Sequence, residues 1–141
     1  MAISSRSALT VPRTSTVMEA IRTMAGVKSG SCLVVDGDRL IGIFSERDVM
    51  LRVVLEGRHS EYSTVEEVMT SSVLTIPQET TGDDAMRLMH QSHIRHLPVV
   101  DEAGHVLGVV SMRSLLQEKI EELNIQLDSL ESYITADGMG G

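Results

Sequence analysis

Gly42-Ile43-Phe44-Ser45-Glu46-Arg47-Asp48 reads as the apolar end of a strand running into the start of a helix, and the chain contains it twice. At an offset of 66 stands Gly108-Val109-Val110-Ser111-Met112-Arg113-Ser114. Residues 9–36 lie over 74–101 at an offset of 65, with ten identities in 28 positions and no gap. Among them are Pro12 with Pro77, Thr16 with Thr81, Ala20 with Ala85, Met24 with Met89, and Val34-Val35-Asp36 with Val99-Val100-Asp101. One residue is added in the intervening turn. The halves are duplicates, and a repeat of this length is one supersecondary unit used twice.

Each half has the same local pattern. A short extended segment ends in proline (Leu9 to Pro12, Val73 to Pro77), which suits a brief or edge strand. An amphipathic helix is expected at about 16–27 and 81–92, with Ala20, Ile21 and Met24 or Ala85, Met86 and Met89 as its apolar face. Strands follow at Cys32–Val35 and Leu97–Val100, then turns carrying Gly37 or Gly104. Second strands at Leu40–Phe44 and Val106–Val110 lead to helices opening at Ser45 and Ser111. The order is β-α-β-β-α, twice, an α/β (α+β) fold. The expected division is repeat 1 over 8–57, a polar linker over 58–64, and repeat 2 over 65–117, opening with a helical turn at Val65–Met69. A C-terminal helix over 118–135 and a disordered tail over 136–141 complete it.

Read locally, Ser45 with an acid three residues on is a capping box, the hydroxyl capping a backbone N–H and the carboxylate reaching back. In its duplicated β-α-β-β-α context, glycine–apolar–any–Ser–two residues–Asp resembles the motif of the CBS domain family, as does His93-Ile-Arg-His-Leu-Pro-Val-Val-Asp101 for that family's first core strand. The resemblance runs from about residue 8 to 117 and is to a stand-alone tandem CBS pair (a Bateman module) of bacterial or organellar type. It implies two repeats packed sheet to sheet with pseudo-two-fold symmetry, and an adenosine ligand in the cleft between them. Asp48 would accept the ribose hydroxyls, Ser45 would meet a phosphate, and Ile43 would pack on the nucleoside. The segment Met69 to Leu74, together with Ile94, would line the adenine slot. Arg95 and His96 would meet phosphates, with Lys28, Arg47, Ser111 and Arg113 as further phosphate contacts. The second copy has Ser114 where the first has Asp48, and a hydroxyl cannot hold a ribose diol as a carboxylate does. One competent site per chain is expected, the other being empty or holding part of a dinucleotide.

Composition narrows the rest. The formal charge of −8 and the lack of Trp argue against a nucleic-acid partner. No segment has the ~18 consecutive apolar residues of a membrane span. The opening MAISSRSALT has no apolar signal core; its Ser/Arg content resembles a transit peptide, but the repeat begins almost at once, so the expected location is cytoplasmic. Cys32 is the only cysteine and lies in an apolar run, so it reads as a packing residue. His90, His93 and His96 are spaced by three, but a helix ending near His93 and a strand from Leu97 would splay them, so no metal is expected. No nucleophile, base or paired carboxylates are arranged for catalysis, so no enzyme and no prosthetic group are expected.

Leu116, Ile120, Leu123, Leu127, Leu130 and Ile134 are spaced 4-3-4-3-4, a heptad seam with Glu118, Lys119, Glu121, Glu122 and Asp128 around it. This helix either folds back on its own domain or pairs between chains, and the resemblance favours pairing. The reading is a homodimeric, non-enzymatic sensor of energy or redox state. Its ligand would be AMP, ADP, ATP, NAD(H) or S-adenosylmethionine, and it would report to a protein target the sequence does not identify. The alternative is a ligand-free dimeric scaffold for a protein partner.

Overall fold

A computed structural model describes the backbone of residues 7–140 and the side chains of residues 7–134. Its element order is β1 (Thr10–Pro12), α1 (Val17–Gly26), β2 (Ser31–Asp36), β3 (Arg39–Ser45) and α2 (Glu46–Asp48), the last running into a π-helical stretch, Val49–Val54. After the linker come α3 (Val65–Val68), α4 (Gly82–Ser92), β4 (His96–Val100), β5 (Val106–Ser111) and α5 (Met112–Gly140).

The duplication persists down to single hydrogen bonds. Thr16 caps α1 by accepting from the Glu19 amide at 3.1 Å, and Thr81 caps α4 by accepting from the Asp84 amide at 3.2 Å. Each helix is followed by a left-handed residue, Lys28 (φ 55°) and His93 (φ 56°), at matching positions. The strand β2 pairs antiparallel with β3 through Cys32 and Phe44, as β4 does with β5 through Leu97 and Val110. Both ladders carry an irregularity at the same place, between Val34 and Val35 and between Val99 and Val100.

The extended segments are where the halves differ. The strand β1 lies parallel to β2, with Val11 opposite Val34. The strand expected at Val73–Pro77 is reduced to a single bridge, Ile76 with Val99. The cause is upstream: Thr70 is already paired with Ile43 on the first sheet, through amide–carbonyl bonds of 2.8 and 2.9 Å. The chain must cross from one sheet to the other between Thr70 and Ile76, so those residues cannot also extend a ladder.

Two hydrophobic clusters hold the halves. The first contains Val11, Val17, Ala20, Met24, Cys32, Val34, Phe44 and Val53, and it takes Val65 and Val68 from α3 beyond the linker. The second contains Ile76, Ala85, Met89, Leu97, Val99, Val110 and Leu115. Phe44, the only phenylalanine, is fully buried. The sheets join at their hairpin turns, where the Leu40 amide donates to the Gly104 carbonyl and the Val106 amide to the Asp38 carbonyl, each at 3.0 Å. Asp101 fixes the second turn by accepting from the amides of His105 (2.8 Å) and Ala103 (3.0 Å). The His105 amide leads in holding that carboxyl below its ordinary range.

Past Ile120, α5 leaves the body of the domain; up to there Leu116 and Ile120 line a cavity with Arg95 and His96, and Lys119 meets Asp83. Leu116, Ile120, Leu123, Leu127, Leu130 and Ile134 are all about half exposed, so the seam is not folded back onto the chain's own surface. The helix bounds run to Gly140. The tail expected over 136–141 lies outside the residues whose side chains are described. Among the described residues no helix is long and apolar enough to cross a membrane.

Candidate functional site

The joint between β3 and α2 carries a dense network of polar contacts. Strand alternation turns Phe44 into the core and leaves Ser45 half-buried at the strand's end. There its hydroxyl accepts from the Asp48 amide at 3.4 Å, while Asp48 Oδ2 accepts from the Ser45 amide at 3.0 Å and from its hydroxyl at 3.2 Å. The capping box is complete. Asp48 is only 6% exposed, and its other oxygen, Oδ1, accepts from the Thr70 hydroxyl at 3.0 Å. Arg52, one turn on, stands with Nε 3.7 Å from the same oxygen and donates through a terminal nitrogen to the Met69 carbonyl at 2.7 Å. A buried carboxylate with a cation and hydroxyls around it is a fully satisfied group. It fastens repeat 1 to the segment that leads into repeat 2.

Gly42 allows that contact. A Cβ there would collide with the Met69 side chain and stand 3.0 Å from the Thr70 carbonyl oxygen, so only glycine lets the crossing segment lie against β3. The second copy retains the hydroxyl cap alone. Ser111 accepts from the Ser114 amide at 3.1 Å and donates to the Ser114 hydroxyl at 2.9 Å.

Two cavities gather other residues singled out in the sequence. One, of about 340 Å³, lies between the sheets and is lined by Ser29, Ser31, Cys32 and Ile43 from the first half and His96, Pro98 and Val109 from the second, with Ser7 to Leu9 at its edge. Burial pushes the Cys32 thiol up to about 11, so the wall it forms is neutral. The other, of about 710 Å³, sits at the foot of α5 and brings Arg95, His96, Ser111 and Arg113 together with Leu116 and Ile120.

The residues singled out in the sequence therefore fall into separate groups. Ile43 and His96 share the inter-sheet cavity. Ser45 and Asp48 are turned toward Thr70 and are not among that cavity's lining residues. Arg95, His96, Ser111 and Arg113 share the second cavity. Met69 packs against the first core cluster and Ile94 against the second. Leu74 is 40% exposed, and Lys28 and Arg47 are exposed on the rim of the first half. His90 lies in the last turn of α4, His93 follows the helix in the left-handed conformation, and His96 opens β4. Sequence reasoning included Thr70 only as part of the Met69–Leu74 segment, with no tie to Asp48, and did not single out Arg52. The i,i+4 spacing of Asp48 and Arg52 was a signal for the second; no local signal ties Asp48 to Thr70, 22 residues away.

Comparison with known proteins fits this geometry. The family model for the CBS domain matches residues 2–55 and again 65–121. The mitochondrial CBS domain-containing protein CBSX3 of Arabidopsis thaliana is 32% identical over 124 residues, which cover 84% of this chain and 60% of that protein. The chain spans between 19% and 60% of the length of the first curated relatives it matches. Among solved structures, a CBS-domain protein from Burkholderia ambifaria MC40-6 is 39% identical with a TM-score of 0.73, covering 83% of this chain and 85% of its own. A CBS domain protein from Pyrobaculum aerophilum, solved in complex with AMP, is 25% identical with a TM-score of 0.69, covering 82% and 92%. Duplication, paired hairpins, capping box and family matches converge: this chain belongs to the CBS domain family, as a tandem pair.

Proposed function

We propose that the chain is a non-catalytic regulatory module. It binds an adenosine-containing ligand (AMP, ADP, ATP or NAD(H)) between its repeats and signals through a change of shape in a homodimer. The observation that carries this reading is the inter-sheet cavity. Its volume of about 340 Å³ falls in the range of small-molecule sites, and walls from both repeats make its shape depend on their relative angle. The AMP complex of the Pyrobaculum aerophilum relative supports the ligand class. Ile43 and His96 would face the nucleoside, and Arg95 and Arg113 supply local positive charge in an acidic chain. Asp48, which lies outside the inter-sheet cavity's lining, would reach the ribose hydroxyls by giving up its bond from Thr70. Binding would thereby loosen the crossing segment and favour one arrangement of the repeats over another. The protein target and a cytoplasmic setting belong to the same proposal.

One observation favours the alternative, a ligand-free dimeric scaffold: both oxygens of Asp48 are already partnered within the chain. Thermal unfolding separates the two. A ligand that binds only the folded state raises the melting temperature by mass action, about 2.7 kcal/mol at a hundredfold excess over Kd. We expect one of the named nucleotides, or S-adenosylmethionine, to raise it at millimolar concentration, and Asp48→Asn to remove that increment. No increment with any of them would leave the scaffold reading standing.

A further inference from the structure

We infer that the segment Leu116–Ile134 of α5 forms a parallel, in-register, two-stranded coiled coil with the same segment of a second copy of this chain. The inference names the surface behind the homodimer just proposed and rests on that reading.

Among the described residues, the helix is anchored at its foot. Leu115 is buried in the second core cluster, Met112 packs beside it, and Lys119 Nζ lies 3.5 Å from Asp83 on α4. Beyond that point the stripe of six Leu and Ile residues stays between 46% and 58% exposed. The segment is about 28 Å long at 1.5 Å per residue. A free helix must first form an unfavourable nucleus in water, whereas this one starts from a turn already fixed on the domain, which removes that cost.

The identities along the stripe select the partner. Placing Ile120, Leu127 and Ile134 at the a positions of a heptad puts Leu116, Leu123 and Leu130 at d. β-Branched residues at a with leucine at d is the arrangement that favours two parallel strands. That segregation matters only where a meets a and d meets d, which requires parallel, in-register chains.

The flanks agree. The g positions are Lys119, Gln126 and Tyr133, and the e positions are Gln117, Asn124 and Glu131. Across a parallel pair Lys119 meets Asn124 and Gln126 meets Glu131, so no like charges are opposed. Glu118, Glu121, Glu122 and Asp128 fall on the b, c and f positions, away from the seam. A chain of net charge −8 would ordinarily repel its own copy. Here all of the negative charge except Glu131 has been kept off the contact strip, and flanks carrying one Lys and one Glu offer little attraction for a basic partner. Leu116 and Ile120 also line the cavity holding Arg95 and Arg113, so the coil would begin at the rim of a site built from the second repeat.

The test is sedimentation equilibrium of the full chain and of Leu123→Glu/Leu127→Glu, both changes lying on exposed positions. The expected result is a dimer for the parent and a dimer Kd weakened by roughly tenfold or more in the variant, since carboxylates would enter the seam. Orientation is read from oxidative cross-linking in a Cys32→Ser background: Leu130→Cys should give a disulfide-linked dimer and Glu121→Cys should not. A monomeric parent, an unchanged dimer Kd in the variant, or equal cross-linking at both cysteines overturns the inference. The nucleotide-induced rise in melting temperature is measured on the same variant. A rise that persists while dimerisation is unchanged sinks the coil and leaves ligand binding standing, and loss of dimerisation with no rise in either protein does the reverse.

Discussion

Removing the Thr70 hydroxyl should weaken the whole protein through Asp48, and a double-mutant cycle isolates that effect. The pair meets at 3.0 Å across 22 residues of sequence, with the carboxylate 6% exposed and Thr70 half-buried. A hydrogen bond to a charged group contributes about 1.5–3 kcal/mol. Partial exposure of Thr70 places the coupling at the lower end, about 1–2 kcal/mol. Thr70→Val keeps the shape and removes the donor. Asp48→Asn keeps the size and removes the charge that also faces Arg52, so it should cost more on its own, about 2 kcal/mol. Urea unfolding of the parent, both single variants and the double variant gives the interaction energy, provided that two probes report coincident transitions. Additivity within about 0.5 kcal/mol would mean that the two side chains do not act on one another, and the fastening of the crossing segment would have to be sought elsewhere.

Two further outcomes follow from packing. Gly42→Ala should cost about 1–3 kcal/mol, because the added methyl meets the Thr70 carbonyl, whereas Gly26→Ala, with nothing within 4 Å, should be neutral or slightly stabilising. Calorimetry that finds the two variants alike would contradict the close approach at Gly42. Cys32, pushed up to about 11 from an ordinary value of 9.0, stays a neutral thiol in the folded chain while the unfolded chain ionises earlier. Its contribution is therefore complete below pH 9 and is lost as pH rises toward 11. The drop in urea midpoint over that interval should be smaller in Cys32→Ala, and native protein at pH 8 should react with a thiol reagent far more slowly than unfolded protein.

What the sequence revealed was whatever repeats or recurs with a fixed period. The caps at Thr16 and Thr81, the helices behind them, the hairpins and the seam on α5 all follow from local residue type and spacing. What it concealed depends on contacts between distant residues. Val73–Pro77 carries the same strand signal as Leu9–Pro12, yet it makes one bridge, because Thr70 is committed to the other sheet. The π-helical stretch after Asp48 has no composition to announce it. The partners of Asp48 emerge only once Gly42 has let Met69 and Thr70 approach. The pairing of the two hairpin turns, Arg39 with His105, joins segments that are far apart in the chain.

The position of α3 bears on how the molecule comes into being. Val65 and Val68 lie beyond the linker, yet they are fully buried members of the first core cluster. During synthesis the first core is therefore complete only once the opening turn of the next repeat has emerged. Thr16 and Thr64, bridged across that gap, bring the ends of this late-closing unit together. A break made between the repeats, at residues 57–58, would strand the first core without its floor. One made after Thr70 would leave that core entire, and it is there that nature or an engineer could divide the gene with least damage.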